Sequence, residues 1–131
     1  MQIIVISVGK KLSKQLDAAI AEYEKRLTKH SKPEWIYVKP SSFDMNKARQ
    51  LESAEIEQKL KPNDTVWLLD ERGDQLASPA LSNKIYTMQA TGINRLVIII
   101  GGAYGVNDSL RSRADWVWSL SKLVFPHQIV R

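Results

Sequence analysis

Five consecutive aliphatic residues, Leu96-Val97-Ile98-Ile99-Ile100, run directly into Gly101-Gly102-Ala103-Tyr104-Gly105. An unbroken aliphatic run of this kind reads as a strand covered on both faces, the situation of a parallel sheet with helices on either side. Glycine immediately beyond it lets the backbone turn sharply or lie against a ligand. In open α/β sheets, ligands collect beyond the carboxyl ends of the strands. Two readings therefore share the segment: a tight turn after a core strand, or the floor of a nucleotide-like site. The segment is not the dinucleotide fingerprint, because its first two glycines are adjacent, and no Gly-Lys-Ser/Thr follows to make a phosphate loop.

The remaining chain alternates strand and helix patterns. Gln2 to Val8 is a strand rich in Ile and Val. Lys14 to Lys29 carries Leu16, Ile20, Tyr23 and Leu27 at helical spacing, with Ser13 placed to cap it, and reads as the clean amphipathic helix of the chain. Trp35 to Val38 is a short strand. Asp44 is placed to cap a helix from Met45 to Leu60, whose charged and less amphipathic pattern predicts a surface position. Thr65 to Leu69 is a buried strand, followed by Asp70-Glu71-Arg72-Gly73 as a polar loop. Ser78-Pro79 opens a helix running to about Ala90, with Ser78 as cap and proline at the first helical position. Asp108 is placed to cap a short helix through Arg113. Trp116 to Ser119 reads as a strand, and Pro126 as the start of a last helix. The alternation predicts an α/β fold with a largely parallel sheet flanked by helices. The length of 131 residues suits one domain.

Composition narrows the chemistry. The chain has no cysteine, which excludes disulfides and thiolate metal sites, and its two histidines, His30 and His127, do not sit at a metal-ligand spacing. No stretch approaches the roughly 20 apolar residues of a membrane span. The Ile3–Val8 run lacks the length and cleavage pattern of a signal peptide, so the expected setting is intracellular. A formal net charge of +5 favours a polyanionic partner such as nucleic acid.

Two further segments carry chemistry. Leu120-Ser121-Lys122-Leu123-Val124-Phe125-Pro126-His127-Gln128 is a mostly apolar connector after a strand; it either wraps an adenine-like ring or simply packs. His127 reads as a helix-start histidine rather than a catalytic one. Asp70-Glu71-Arg72 could bind ribose or a charged substrate, or form a solvated turn. Trp35, Trp67, Trp116 and Trp118 lie inside predicted strands, which favours core packing over stacking on bases.

Taken in order, Ile3-Ile4-Val5-Ile6-Ser7-Val8-Gly9-Lys10, Ala21-Glu22-Tyr23-Glu24-Lys25-Arg26-Leu27, Leu68-Leu69-Asp70 with Gly73, Ile100 to Gly105, and Leu120 to Gln128 resemble the ribosomal RNA large subunit methyltransferase H family of the SPOUT superfamily. The resemblance runs from Ile3 to Arg131. It implies an α/β fold with a trefoil knot, a rare departure from unthreaded chains. It also implies a cytoplasmic homodimer, S-adenosylmethionine as methyl donor, and N3 of a pseudouridine in 23S ribosomal RNA of the assembled ribosome as acceptor. Carried over by position, the cofactor contacts fall at Leu69, Gly101, Leu120, Ser121, Lys122, Leu123, Val124 and Phe125. No catalytic base and no metal ligand is implied. The family pattern continues past Pro-His-Gln with a full helix and a tail containing tyrosine and histidine, whereas this sequence ends at Arg131. The expectation is a single methyltransferase domain over 1–131, short at its C-terminal end, with the knot open to being incomplete. The other readings are a non-catalytic ribosome- or RNA-binding module that keeps the fold, and an unrelated nucleotide-binding α/β enzyme.

Overall fold

A computed structural model describes residues 1–9 and 14–131. Its elements are β1 (Gln2–Val8), α1 (Lys14–Leu27), β2 (Glu34–Val38), α2 (Met45–Glu57), β3 (Thr65–Asp74), α3 (Ser78–Ala90), β4 (Arg95–Ile100), α4 (Asp108–Arg113), β5 (Trp116–Trp118) and α5 (His127–Val130). The five strands form one sheet in the order β2-β1-β4-β3-β5. Every pairing is parallel. The aliphatic run of β4 is thus the centre of the sheet, between β1 and β3, where both faces need apolar side chains.

Alternation along the strands divides the core in two. Ile4, Ile6, Val8, Val66, Leu68, Val97 and Ile99 share one buried cluster with Ile56 of α2 and Leu110 of α4. Trp67 and Leu96 belong to a second cluster with Met88 of α3, against which Ile85, Trp116 and Trp118 pack. The Trp67 ring meets Trp116 edge-on at 4.8 Å between centroids and Trp118 edge-on at 5.9 Å, so these three tryptophans pack as expected. Trp35, on the edge strand β2, is half-buried and stacks on Tyr37.

Four expectations are corrected. The helix expected at the surface, α2, buries Ala48, Glu52, Ser53 and Ile56. The cleanly amphipathic α1 buries no residue completely, and Tyr23 stands 63% exposed. Small side chains explain α2: Ala48 and Ser53 let the helix approach the sheet closely, a feature that hydrophobic periodicity does not register. Next, the expected loop Asp70–Gly73 continues as strand through Asp74, with a register shift against β5 between Leu69 and Asp74. Gly73 makes this possible, because a Cβ there would lie 2.5 Å from the Val117 carbonyl oxygen. Lastly, two caps move by one residue. Asn107, not Asp108, caps α4 by accepting from the Leu110 N–H, and Ala77, not Ser78, precedes α3 without a side-chain bond. Asp44 caps α2 as expected, accepting from the Lys47 N–H at 3.1 Å. The expected cap Ser13 lies outside the described residues.

Candidate functional site

The carboxyl ends of β3, β4 and β5 open into a cavity of about 740 Å³, within the size range of small-molecule sites. Leu69, Asp70, Glu71 and Arg72 line it from β3. Ile100 and the segment Gly101–Gly105 line it from β4. Trp118, Leu120, Ser121 and the segment Leu123–His127 line it from β5 and beyond. Of the eight residues proposed from sequence, seven meet here: Leu69, Gly101, Leu120, Ser121, Leu123, Val124 and Phe125. Lys122 is exposed and is not among the lining residues. His127, read as a helix-start residue, does begin α5 and also lines the cavity. Among the described residues, no group of three or more His, Cys, Asp or Glu side chains could hold a metal ion.

The floor is backbone. Gly105 adopts φ +73°, a left-handed conformation that disfavours side chains, and its N–H donates to the Gly102 carbonyl at 3.0 Å to close a tight turn. A Cβ on Gly101 would lie 3.3 Å from Val106 Cγ1. A Cβ on Gly102 would lie 2.6 Å from Glu52 Oε2 and 3.1 Å from Val8 Cγ1. A side chain at Gly102 would force Glu52 or Val8 to move, and one at Gly101 would require Val106 to give slightly. The segment is a tight turn, as the first sequence reading has it, and it also lines the cavity.

Helix α2 carries this floor. The Arg49 Nε donates to the Tyr104 carbonyl at 2.9 Å, and the Asn107 N–H donates to Ser53 Oγ at 2.9 Å. The Asn107 side-chain amide donates to Gln50 Oε1 at 2.8 Å, and Ser109 Oγ to Glu57 Oε1 at 2.8 Å. Glu52 accepts the Ser41 N–H on Oε1 at 2.9 Å, while its Oε2 is buried without a partner among the described residues. Sequence reading missed this set. The available signal was the face Ala48, Glu52, Ser53 and Ile56 at helical spacing, hidden because half of it is polar.

The β5 side is built differently. Ser119 Oγ donates to the Ser121 carbonyl at 2.8 Å, and the Leu123 N–H donates to Ser121 Oγ at 3.1 Å. These bonds fold the segment on itself and leave Leu120, Leu123, Val124 and Phe125 exposed. At the far end of this segment, the Arg131 Nε donates to Ser7 Oγ at 2.8 Å and Nη2 to the Val8 carbonyl at 3.0 Å, tying α5 to the end of β1. Burial lowers the pKa of the Arg131 guanidinium from its ordinary value.

Asp70 supplies fixed negative charge at the mouth. Its Oδ1 accepts from the Arg72 N–H at 2.9 Å and Arg72 Nε at 3.0 Å, and its Oδ2 from Arg72 Nη2 at 2.9 Å and from Arg111. Burial pushes the Asp70 carboxyl up. The bonds from Arg72 and Arg111 outweigh that and hold it well below the usual carboxylate range. Arg72 is raised by the same pairing. A solvated turn is therefore not what the Asp70 side chain occupies, although Arg72 itself remains 69% exposed.

Comparison with known proteins adds the chemistry. The sequence profile of the family described as "Predicted SPOUT methyltransferase" matches residues 1–131. A protein of Methylobacillus flagellatus named ribosomal RNA large subunit methyltransferase H is 36% identical over 134 residues, covering all of this chain and 86% of its own length. Proteins of the same name from Christiangramia forsetii and Clostridium botulinum are 37% and 38% identical, covering all of this chain and 86% and 87% of their own lengths.

Proposed function

The chain belongs to the SPOUT methyltransferase family, and from that premise we propose that it methylates large-subunit ribosomal RNA, with S-adenosylmethionine bound at the ends of β3, β4 and β5. The finer reading is N3 of a pseudouridine in 23S ribosomal RNA as acceptor. It includes a knotted, homodimeric, cytoplasmic protein in which residues 1–131 form one methyltransferase domain. The supporting observation is convergence: three strand ends far apart in sequence enclose one cavity with a glycine floor and an apolar wall.

The residues suit such a donor. Gly101 and Gly102 present backbone to the cavity, so a ligand can approach it with no side chain intervening. Leu123, Val124 and Phe125 offer apolar cover for an adenine ring. S-adenosylmethionine supplies an electrophilic methyl group on a sulfonium. The protein's task is alignment, because in-line transfer to a ring nitrogen depends on holding donor and acceptor at attack geometry. The floor serves that task through the hydrogen bonds from α2, which fix Tyr104 and Asn107. Asp70 holds the exposed Arg72 guanidinium at the mouth, where an RNA phosphate would meet it. His127 lines the cavity, but nothing there orients it toward an acceptor, and no base is assigned.

Ribosomes or large subunits lacking the modification, incubated with the chain and methyl-labelled S-adenosylmethionine, test the proposal. The expected result is label in 23S RNA, mapped by mass spectrometry of nuclease fragments to a pseudouridine. Label confined to another RNA, or to protein, would refute the acceptor assignment.

A further inference from the structure

Glu52 is only 6% exposed. One carboxylate oxygen accepts the Ser41 N–H; the other, Oε2, is buried with no hydrogen-bond partner among the described residues. Among the described residues Glu52 enters no ion pair. A buried carboxylate without a counter-charge is costly: it takes up a proton unless a cation compensates it. Oε2 lies directly beneath the cavity floor: a Cβ on Gly102 would be 2.6 Å from it, and Gly102 lines the cavity. Glu52 is not itself among the lining residues, so the bare backbone of Gly102 stands between this oxygen and the cavity. The opposite wall is apolar, so a ligand seated between the two displaces part of the solvent that would otherwise screen its charge.

Resting on the proposed methyl-donor site, we propose that Glu52 is a specificity-determining residue that favours the cationic donor over its demethylated product. The two ligands differ in one charge. When the methyl group moves to the acceptor nitrogen, the sulfur–methyl bond breaks and its electron pair stays on sulfur. The sulfonium becomes a neutral thioether, and the acceptor nitrogen gives up its proton to the solvent. A negative group beneath the floor attracts the sulfonium and has no such hold on the thioether. Glu52 thereby aids exchange of spent product for fresh donor without touching either. The α-ammonium is common to both ligands, so attraction to that group alone would leave the preference unchanged.

The test is calorimetric titration of S-adenosylmethionine and of S-adenosylhomocysteine into the wild-type chain, Glu52→Gln and Glu52→Asp. Folding of each variant is checked by circular dichroism. Glu52→Gln is expected to weaken the donor about tenfold and the product by less than about twofold, the scale of one charge acting through a partly screened site. Glu52→Asp, which keeps the charge, is expected to keep the wild-type preference whatever happens to overall affinity. Equal weakening of both ligands by folded Glu52→Gln, or no change in either, overturns the proposal. If Glu52→Gln does not fold, loss of the preference in folded Glu52→Asp overturns it. A wild-type chain that binds neither ligand refutes the donor site itself, and the role of Glu52 with it.

Discussion

On the β4 side of the cavity, Gly101–Gly105 and the residues just beyond it are tied to α2 through Arg49, Gln50, Ser53 and Glu57. On the β5 side, Leu120–Phe125 is held by bonds between Ser119, Ser121 and Leu123, and leaves Leu123 68% and Val124 79% exposed. The floor takes its shape from the fold and is fixed before any ligand arrives. The wall holds apolar surface in water, which gains cover only when something enters the cavity or docks against it. A change in the floor should therefore act on stability and binding together. A change in the wall should act on binding while leaving the fold nearly untouched.

The largest effect that would break this contrast belongs to Gly102→Ala. The new methyl group would meet Glu52 Oε2 and Val8 Cγ1. Overpacking of this kind costs about 1–3 kcal/mol, read as a fall in the urea midpoint. Unchanged stability would mean that the floor yields easily and is not fixed by the fold.

The paired wall substitution Leu123→Ala with Phe125→Ala should behave in the opposite way. Both side chains are exposed, so stability should stay within about 0.5 kcal/mol. Donor affinity should fall by about tenfold or more, as two apolar groups lose the chance to be covered. A large loss of stability with affinity retained would reverse the roles assigned to the two sides.

Asp70 sharpens the comparison, since it stands at the edge of both. Its carboxyl pKa is lower in the folded chain than in the unfolded one. The stability it contributes is thus present above the unfolded value of about 4 and fades as pH falls further, toward the lower folded value. Asp70→Asn should lower stability at pH 7 and flatten its decline below about pH 4, measured by chemical denaturation across pH. An unaltered acid profile would contradict the pairing with Arg72 and Arg111. The smallest effect is expected from Lys122→Ala. This exposed residue lies off the lining, so donor affinity should stay within about twofold. A larger loss would bring Lys122 into the site after all.

Much of this architecture is legible in the sequence. Ile3–Val8 and Leu96–Ile100 announce central strands because aliphatic residues with no polar alternation have to be covered on both faces. The strand ends that carry the cavity follow from the same pattern, and so does the glycine segment. The roles of the first two helices are not legible. Leu16, Ile20, Tyr23 and Leu27 give α1 a clear stripe, yet a stripe does not say whether anything covers it, and Tyr23 and Leu27 stay exposed. Helix α2 approaches the sheet through Ala48 and Ser53, and its buried Glu52 looks like a surface residue in any hydropathy pattern. The continuation of β3 past Leu69 was hidden for a similar reason. Asp70, Glu71 and Arg72 read as loop, and only the close backbone approach at Gly73 reveals why strand pairing persists.

The most direct test of the donor site is calorimetric titration of S-adenosylmethionine into the wild-type chain and into Gly101→Val, with the fold of both checked by circular dichroism. A Cβ at Gly101 already comes within 3.3 Å of Val106 Cγ1, and Gly101 lines the cavity, so valine there has to displace either Val106 or the bound donor. The account predicts one-to-one binding by the wild type and none by folded Gly101→Val. Equal binding by both would place the donor elsewhere and contradict it.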